Sequence, residues 1–149
     1  MKAFNFRLQR LLGFRNMLED EAIKELGLRR MALEEETARL SGLKKEEEHL
    51  LLQWQKEVEE SIQLTNLQIT QEYSKHLGRL LDNQSAQCKK KKNQVDEQRE
   101  VAKECWRKKK ILEILKDKAS VEHMQQEKIN EQKIIDELVV NTYLRKGGD

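Results

Sequence analysis

The chain has 149 residues with no proline and only six glycines, and 38% of its residues are charged while 5% are aromatic. Proline and glycine mark most loops of compact domains, so this composition predicts long helices. Hydrophobic residues make up 37% of the chain, which excludes a thick multilayer core but is enough for a narrow seam between two helices. The net charge of +2 gives no reason by itself to expect a nucleic-acid partner.

The sequence also argues against membrane insertion and secretion. Its longest apolar runs, such as Leu50 to Leu52, are far short of the roughly 20 residues that span a bilayer. The first residues lack the apolar core of a signal peptide. Cys88 and Cys105 on one helix would lie about 25 Å apart, which is too far for a disulfide. We therefore expect a cytosolic protein with reduced thiols.

Helix 1 is expected from about residue 5 to about residue 60. A heptad register from Ile23 onward predicts a coiled-coil seam with two columns of residues. The first column is expected at Ile23, Arg30, Thr37, Lys44, Leu51 and Val58, and the second at Leu26, Leu33, Leu40, Glu47 and Trp54. The leucines upstream of residue 20 fit this register only after a shift, which predicts a stutter.

A bend is expected at about residues 61–66, where Ser, Thr and Asn supply possible N-caps, and helix 2 at about residues 67–144. Heptad columns in helix 2 are expected at Leu81, Cys88, Val95 and Ala102, and at Cys105, Leu112 and Ala119. Folding back at the bend would pair Arg30 with Val95 and leave helix 2 overhanging beyond about Ala119. The predicted fold is one all-α domain, 1–149, a long antiparallel two-helix coiled-coil hairpin with helix 2 overhanging.

Charge is consistent with this hairpin. Residues 19–60 carry 13 acidic and 7 basic side chains, net −6, whereas residues 88–118 carry 12 basic and 6 acidic, net +6. The open end differs, because residues 7–18 have three arginines and no acid, and residues 107–118 carry six basic and two acidic residues. This predicts a basic end of about +7 that would attract an acidic partner.

Two features have competing explanations. The run from Lys89 to Lys92 fans around a helix, so a solvated segment facing the acids of helix 1 is favoured over a binding patch. The run from Arg107 to Lys110 has basic neighbours, so partner binding and a solvated face weigh equally. Trp54 either closes the bend or forms an apolar docking site at the tip.

We find no signature of catalysis. His49, His76 and His123 are scattered, no Cys/His cluster has metal-ligand spacing, and no glycine-rich phosphate loop is present. The acidic residues have no predicted pocket that would shift a pKa. We therefore expect no enzyme activity, no metal, no cofactor and no small-molecule substrate.

A series of short motifs runs along nearly the whole chain. The N-terminal motif is Phe4-x-Phe6-x-Leu8-x-x-Leu11-Leu12. The later motifs are Tyr73-x-x-x-Leu77-x-x-Leu80, Val95 followed by Ala102, Trp106-Arg107-Lys108-Lys109-Lys110-Ile111-Leu112-Glu113, and Asn130-Glu131-Gln132-Lys133-x-x-Asp136-Glu137. This series resembles the FliJ family of flagellar type III export proteins.

The resemblance implies a non-catalytic shaft, similar to the central stalk of rotary ATPases, that inserts into the hexameric ring of the export ATPase FliI and promotes its assembly. It also implies contact with the export-gate protein FlhA and with export chaperones, in a cytoplasmic protein at the membrane face of the export apparatus that serves motility and chemotaxis. Ring binding is expected at Arg7, Arg10, Arg15, Arg107, Lys108, Lys109 and Lys110. Gate binding is expected at Leu51, Trp54, Val58, His76 and Leu80, although Trp54 and Val58 stand where the family usually has tyrosines.

Two other classes of protein remain open. A generic coiled-coil scaffold would dimerise through its heptads, whereas the predicted hairpin is a monomer when free. A polyanion-binding helical protein would use residues 89–92 and 107–110 and would lose affinity steeply with salt; the FliJ resemblance instead implies no nucleic-acid partner.

Overall fold

A computed structural model of the chain describes residues 2–60 and 63–148. They form two helices, α1 over Gln9–Glu59 and α2 over Leu64–Gly147, and no strand is present in these two ranges. The chain divides into two compact units, Met1–Asp20 with Glu104–Asp149 (unit 1) and Glu21–Lys103 (unit 2). Within each unit a stretch of α1 packs antiparallel against a stretch of α2, which confirms the predicted all-α helical hairpin.

The helix ends differ from those predicted. Helix α1 begins at Gln9 rather than near residue 5. Residues 2–6 have no regular secondary structure, and residues 7 and 8 form a turn in which the Gln9 N–H donates to the Phe6 carbonyl at 3.1 Å. Further upstream the Lys2 carbonyl accepts a 3.1 Å hydrogen bond from His123 Nε2. Helix α2 begins at Leu64, three residues early. The carbonyl of Gln63 accepts hydrogen bonds from the backbone N–H groups of Asn66 and Leu67, so Gln63 is the N-cap.

Of the predicted bend, residues 61 and 62 lie outside the described residues, and residues 64–66 already belong to α2. The far end of α2 is Gly147 rather than residue 144.

One column of the predicted α1 seam was wrong by one residue. Ile23, Leu51 and Val58 are more than half exposed, and Arg30, Thr37 and Lys44 are exposed as well. The buried and half-buried positions are instead Ala22, Arg29, Glu36, Leu43, Leu50 and Glu57, which alternate with Leu26, Leu33, Leu40 and Trp54. Apolar content at Ile23, Leu51 and Val58 suggested the wrong column. The alternation of three and four residues continues upstream through Glu19, Arg15, Leu12 and Leu8, so no shift of register is needed there.

The two columns predicted for α2 are buried or half-buried, from Leu81 to Ala119. The apolar core is nevertheless thin. The buried apolar side chains are Leu12, Ala22, Leu77, Val95 and Leu112, and Leu77 is the most enclosed at 1% exposure.

Polar side chains fix the register inside unit 2. Gln98, which is buried, donates from Nε2 to the Ala22 carbonyl at 3.1 Å. Arg29 donates to the Gln94 carbonyl at 3.0 Å. This contact replaces the predicted pairing of Arg30 with Val95. Gln84 donates to the Glu36 carbonyl at 2.9 Å. Since a slip of one residue would break all three contacts, these side chains specify alignment in a seam with little apolar surface.

In unit 1 the residues before α1 continue the packing against α2. The rings of Phe4 and His123 lie 5.5 Å apart between centroids, and Phe6 and Leu8 are half-buried. Beyond Glu127, every described residue of α2 is exposed, as the predicted overhang requires. Neither α1 nor α2 contains a stretch long and apolar enough to cross a membrane, over the residues that the structure describes.

Candidate functional site

The last turns of α2 carry an unusually apolar surface for an unpaired helix. Seven large side chains there are more than half exposed: Ile134, Ile135, Leu138, Val139, Val140, Tyr143 and Leu144. We call residues 134–144 the C-terminal apolar segment. A helix that is apolar over most of its circumference is normally buried, so this segment is a candidate binding surface.

The seven basic residues predicted for ring binding all belong to unit 1, but their environments differ. Arg7, Arg10 and Lys108 are exposed and form no ion pair with any described residue. Arg15 is half-buried in the seam. Arg107 lies 3.6 Å from Glu104 and Lys110 lies 3.7 Å from Glu113, in pairs along one helix. The freely available positive charge is therefore smaller than the sequence suggested.

Lys109 connects the two helices of unit 1. Its ammonium lies 3.0 Å from the carboxylate of Glu19, whose side chain is only 12% exposed, and 3.7 Å from that of Glu113. The hydrogen bond to Glu19 raises the pKa of Lys109 above its usual value of 10.5. This lysine therefore stabilises the packing of the hairpin, whereas the exposed arginines are available to a partner.

The pair predicts a pH dependence of stability. A lysine whose pKa is raised on folding contributes stability that is fully present below pH 10.5 and is lost as the pH rises through the folded pKa. We expect Glu19→Gln to lower the melting temperature at pH 8, and we expect the difference from the unchanged chain to shrink above pH 11. Thermal melts followed by circular dichroism at both pH values check this. A difference that is the same at both would contradict the assignment.

Near the bend, unit 2 has a groove between its two helices. The cavity is about 310 Å³ and is lined by Glu47, Leu50, Leu51, Trp54, Thr70, Gln71 and Ser74. Trp54 is half-buried in its floor. Trp54 is thus part of the seam and is also accessible from the groove, and its use as a docking site stays a prediction. We call this side of unit 2 the groove flank.

The opposite side of the seam carries a second apolar surface on α2. Ile69, Tyr73, His76 and Leu80 are exposed and follow one another at spacings of four, three and four residues, so they share one face of the helix. The hydroxyl of Tyr73 approaches the Glu46 carboxylate at 3.5 Å across the seam. We call this side the stripe flank.

The five residues predicted for gate binding divide between these flanks. Leu51 and Val58 follow buried seam positions of α1 by one residue, whereas Leu80 precedes a seam position of α2 by one residue. In an antiparallel pair such positions lie on opposite sides of the seam. The structure therefore brings Leu51 together with Trp54, and His76 together with Leu80, but it does not bring the two sets together.

Sequence reasoning did not include Ile69 and Tyr73 among these site residues. Their spacing to His76 and Leu80 was readable from the chain. Recognising them as one surface required the correct seam register of α2. When Leu77 and Leu81 occupy the seam, the four stripe residues lie beside it.

A family model described as flagellar FliJ protein matches residues 4–148. No match was found among curated proteins or among solved structures.

Proposed function

The chain belongs to the FliJ family of flagellar proteins, and from that premise we propose that it is a non-catalytic shaft and coupling protein of flagellar export. In this proposal unit 1 inserts into the hexameric ring of the ATPase FliI and promotes its assembly. Unit 2 contacts the gate protein FlhA, and the protein also binds export chaperones. It works at the cytoplasmic face of the membrane and is a monomer when free.

The C-terminal apolar segment supports insertion into the ring. A central channel formed by several subunits offers a concave surface on all sides of an inserted helix. A helix with apolar side chains around most of its circumference fits such a channel better than a flat surface, which covers one face only. The exposed Arg7, Arg10 and Lys108 belong to the same unit and would add attraction to acidic groups of the ring.

The experiment that tests this role is ATP hydrolysis by the cognate FliI, titrated with the full chain at fixed salt. We expect saturable stimulation, with saturation well below one chain per ATPase subunit, because one shaft serves one ring. A folded monomer that leaves hydrolysis unchanged would contradict the shaft role.

For the gate we propose the stripe flank as the main contact. One flat surface cannot cover both flanks of a two-helix seam, so the five residues predicted for gate binding cannot all belong to one contact. Tyr73 and Leu80 are 45% and 39% exposed and lie on one face of one continuous helix. Exposed aromatic and aliphatic anchors in such an arrangement are typical of binding hot spots.

We expect Tyr73→Ser combined with Leu80→Ser to weaken binding to purified FlhA at least about tenfold, since two apolar anchors of roughly 1 kcal/mol or more each are lost. Binding is measured by isothermal titration calorimetry. Stimulation of FliI is expected to stay within about twofold. The matched control is Met31→Ser combined with Leu52→Ser, since both residues are exposed and lie on neither flank. Equal weakening by the control variant would contradict the proposed contact.

A further inference from the structure

The groove flank of unit 2 has a cavity at one end, where Leu50, Leu51 and Trp54 lie beside polar residues that include Glu47, and it has a cationic middle. Helical register determines which residues share it. Leu51 of α1 and Gln71 of α2 line the same groove. In an antiparallel pair each step forward along one helix is a step backward along the other, so Lys44 is level with Gly78, Thr37 with Ser85, and Arg30 with Lys92. The flank therefore runs from the groove, past small side chains, to a pair of cations.

The cations on this flank lack partners within the molecule. Arg30, Lys44 and Lys92 are exposed and form no ion pair with any residue in 2–60 or 63–148. Arg30 and Lys92 are level with each other, so two like charges oppose each other across the seam. An acidic group placed between them would relieve that repulsion and gain attraction from both.

The other flank has the opposite character. The equivalent positions of α1 there are held by Glu25, Ala32, Arg39 and Glu46, and Arg39 is already paired with Glu36 at 3.0 Å. Arg30, Lys44 and Lys92 are thus unpaired on the flank that also carries the Trp54 groove, whereas Lys91 on the other flank lines a cavity together with Glu25 and Glu97. A cavity that contains Leu50, Leu51 and Trp54, on the same flank as unpaired cations, suits a ligand that is apolar at one end and acidic further along its length.

We propose that the groove flank binds an acidic amphipathic helix of another protein. A third helix lies naturally in the valley between two packed helices, and the small Thr37, Gly78 and Ser85 allow it to approach closely. Its apolar end enters the groove beside Trp54. Its acidic side chains meet Lys44 about 10 Å from Leu51, and the pair of Arg30 and Lys92 about 30 Å from it. This inference does not depend on the shaft role of unit 1.

The test uses the full chain and a synthetic helical peptide. The peptide carries leucines at one end and glutamates about 7 and about 21 residues further along, matching the rise of 1.5 Å per residue. A second peptide has glutamine in place of each glutamate. Binding is measured by fluorescence anisotropy at about 0.1 M salt, where surface charges are only partly screened. We expect the glutamate peptide to bind at least about tenfold more tightly than the glutamine peptide.

Charge-reversal variants of the chain test whether the peptide binds on the groove flank. We expect Lys44→Glu with Lys92→Glu to weaken the glutamate peptide at least about tenfold, because attraction becomes repulsion at two places. The matched control is Lys45→Glu with Lys90→Glu, which makes the same change of net charge on exposed neighbours that lie off this flank. The control is expected to change affinity less than about threefold. Leu51→Ser is expected to weaken both peptides, since the side chain is exposed and lines the groove.

Two results would overturn the proposal. Equal weakening by the two double variants would show a response to net charge alone. Displacement of the peptide by duplex DNA, with DNA itself binding both double variants equally, would indicate a nonspecific polyanion site in place of a helix site. Stimulation of FliI by the Lys44/Lys92 variant is expected to be unchanged, so failure here is distinguishable from failure of the shaft role.

Discussion

Replacing Leu138, Val139 and Tyr143 together by serine is expected to abolish stimulation of FliI at concentrations that saturate the unchanged protein. All three side chains are at least 60% exposed and lie on one side of the C-terminal apolar segment. If the ring buries them, each loses about 1.5 to 3 kcal/mol of transfer free energy on replacement. The concentration for half-maximal stimulation should therefore rise at least about a hundredfold. It is measured by the same ATPase titration.

The control for this variant is Leu28→Ser, Met31→Ser and Leu52→Ser. These side chains are also about 60% exposed, but they belong to unit 2, do not line the Trp54 groove and are not among the four stripe residues Ile69, Tyr73, His76 and Leu80. Because none of the six side chains is buried, both triple variants should keep the helicity and melting temperature of the unchanged chain to within a few degrees. Equal loss of stimulation in both would show that apolar content in general matters. Full stimulation by the C-terminal variant would place the ring contact elsewhere.

The composition of this chain predicts its fold class, but it does not predict which residues form the seam between the helices. The absence of proline and the scarcity of glycine leave the helices unbroken, so two long helices were predictable. The seam was harder to predict. Ile23 is more apolar than Arg29, but Arg29 faces the partner helix because its guanidinium reaches the Gln94 carbonyl. Hydrophobic periodicity cannot identify a polar residue that faces the partner helix because its hydrogen-bond partner lies on that helix.

The parts of the candidate site were likewise predictable where they depend on helix length and not predictable where they depend on the seam register. The C-terminal overhang needed only helix lengths, and it was predicted. The division of the gate residues between two flanks needed the seam register to within one residue, and a shift of one residue moves Leu51 and Val58 from the seam to a flank. Lys109 is a related case. A run of four basic residues does not reveal which member turns inward to Glu19, because that depends on the opposing helix.

Leu77→Ala is expected to destabilise unit 2 more than any other single truncation to alanine there. Leu77 is 1% exposed, the lowest exposure among the few buried apolar side chains, so its truncation removes the most completely buried side chain of unit 2. Burial and cavity terms together predict a loss of about 2 to 3 kcal/mol in the free energy of unfolding. The loss reflects packing, because alanine favours helix formation at least as strongly as leucine. Urea unfolding followed by circular dichroism measures it.

The comparison is Leu64→Ala, the same substitution at a residue of the same helix that is 71% exposed. It should change the free energy of unfolding by less than about 0.5 kcal/mol. Because a polar seam contributes little net stability, a loss of this size at Leu77 would show that the few apolar layers near the bend support both flanks. Binding to FlhA and to the acidic peptide should then weaken together in Leu77→Ala, although the side chain touches neither partner. Loss of only one of them, with the chain still folded, would mean that each flank is stabilised independently.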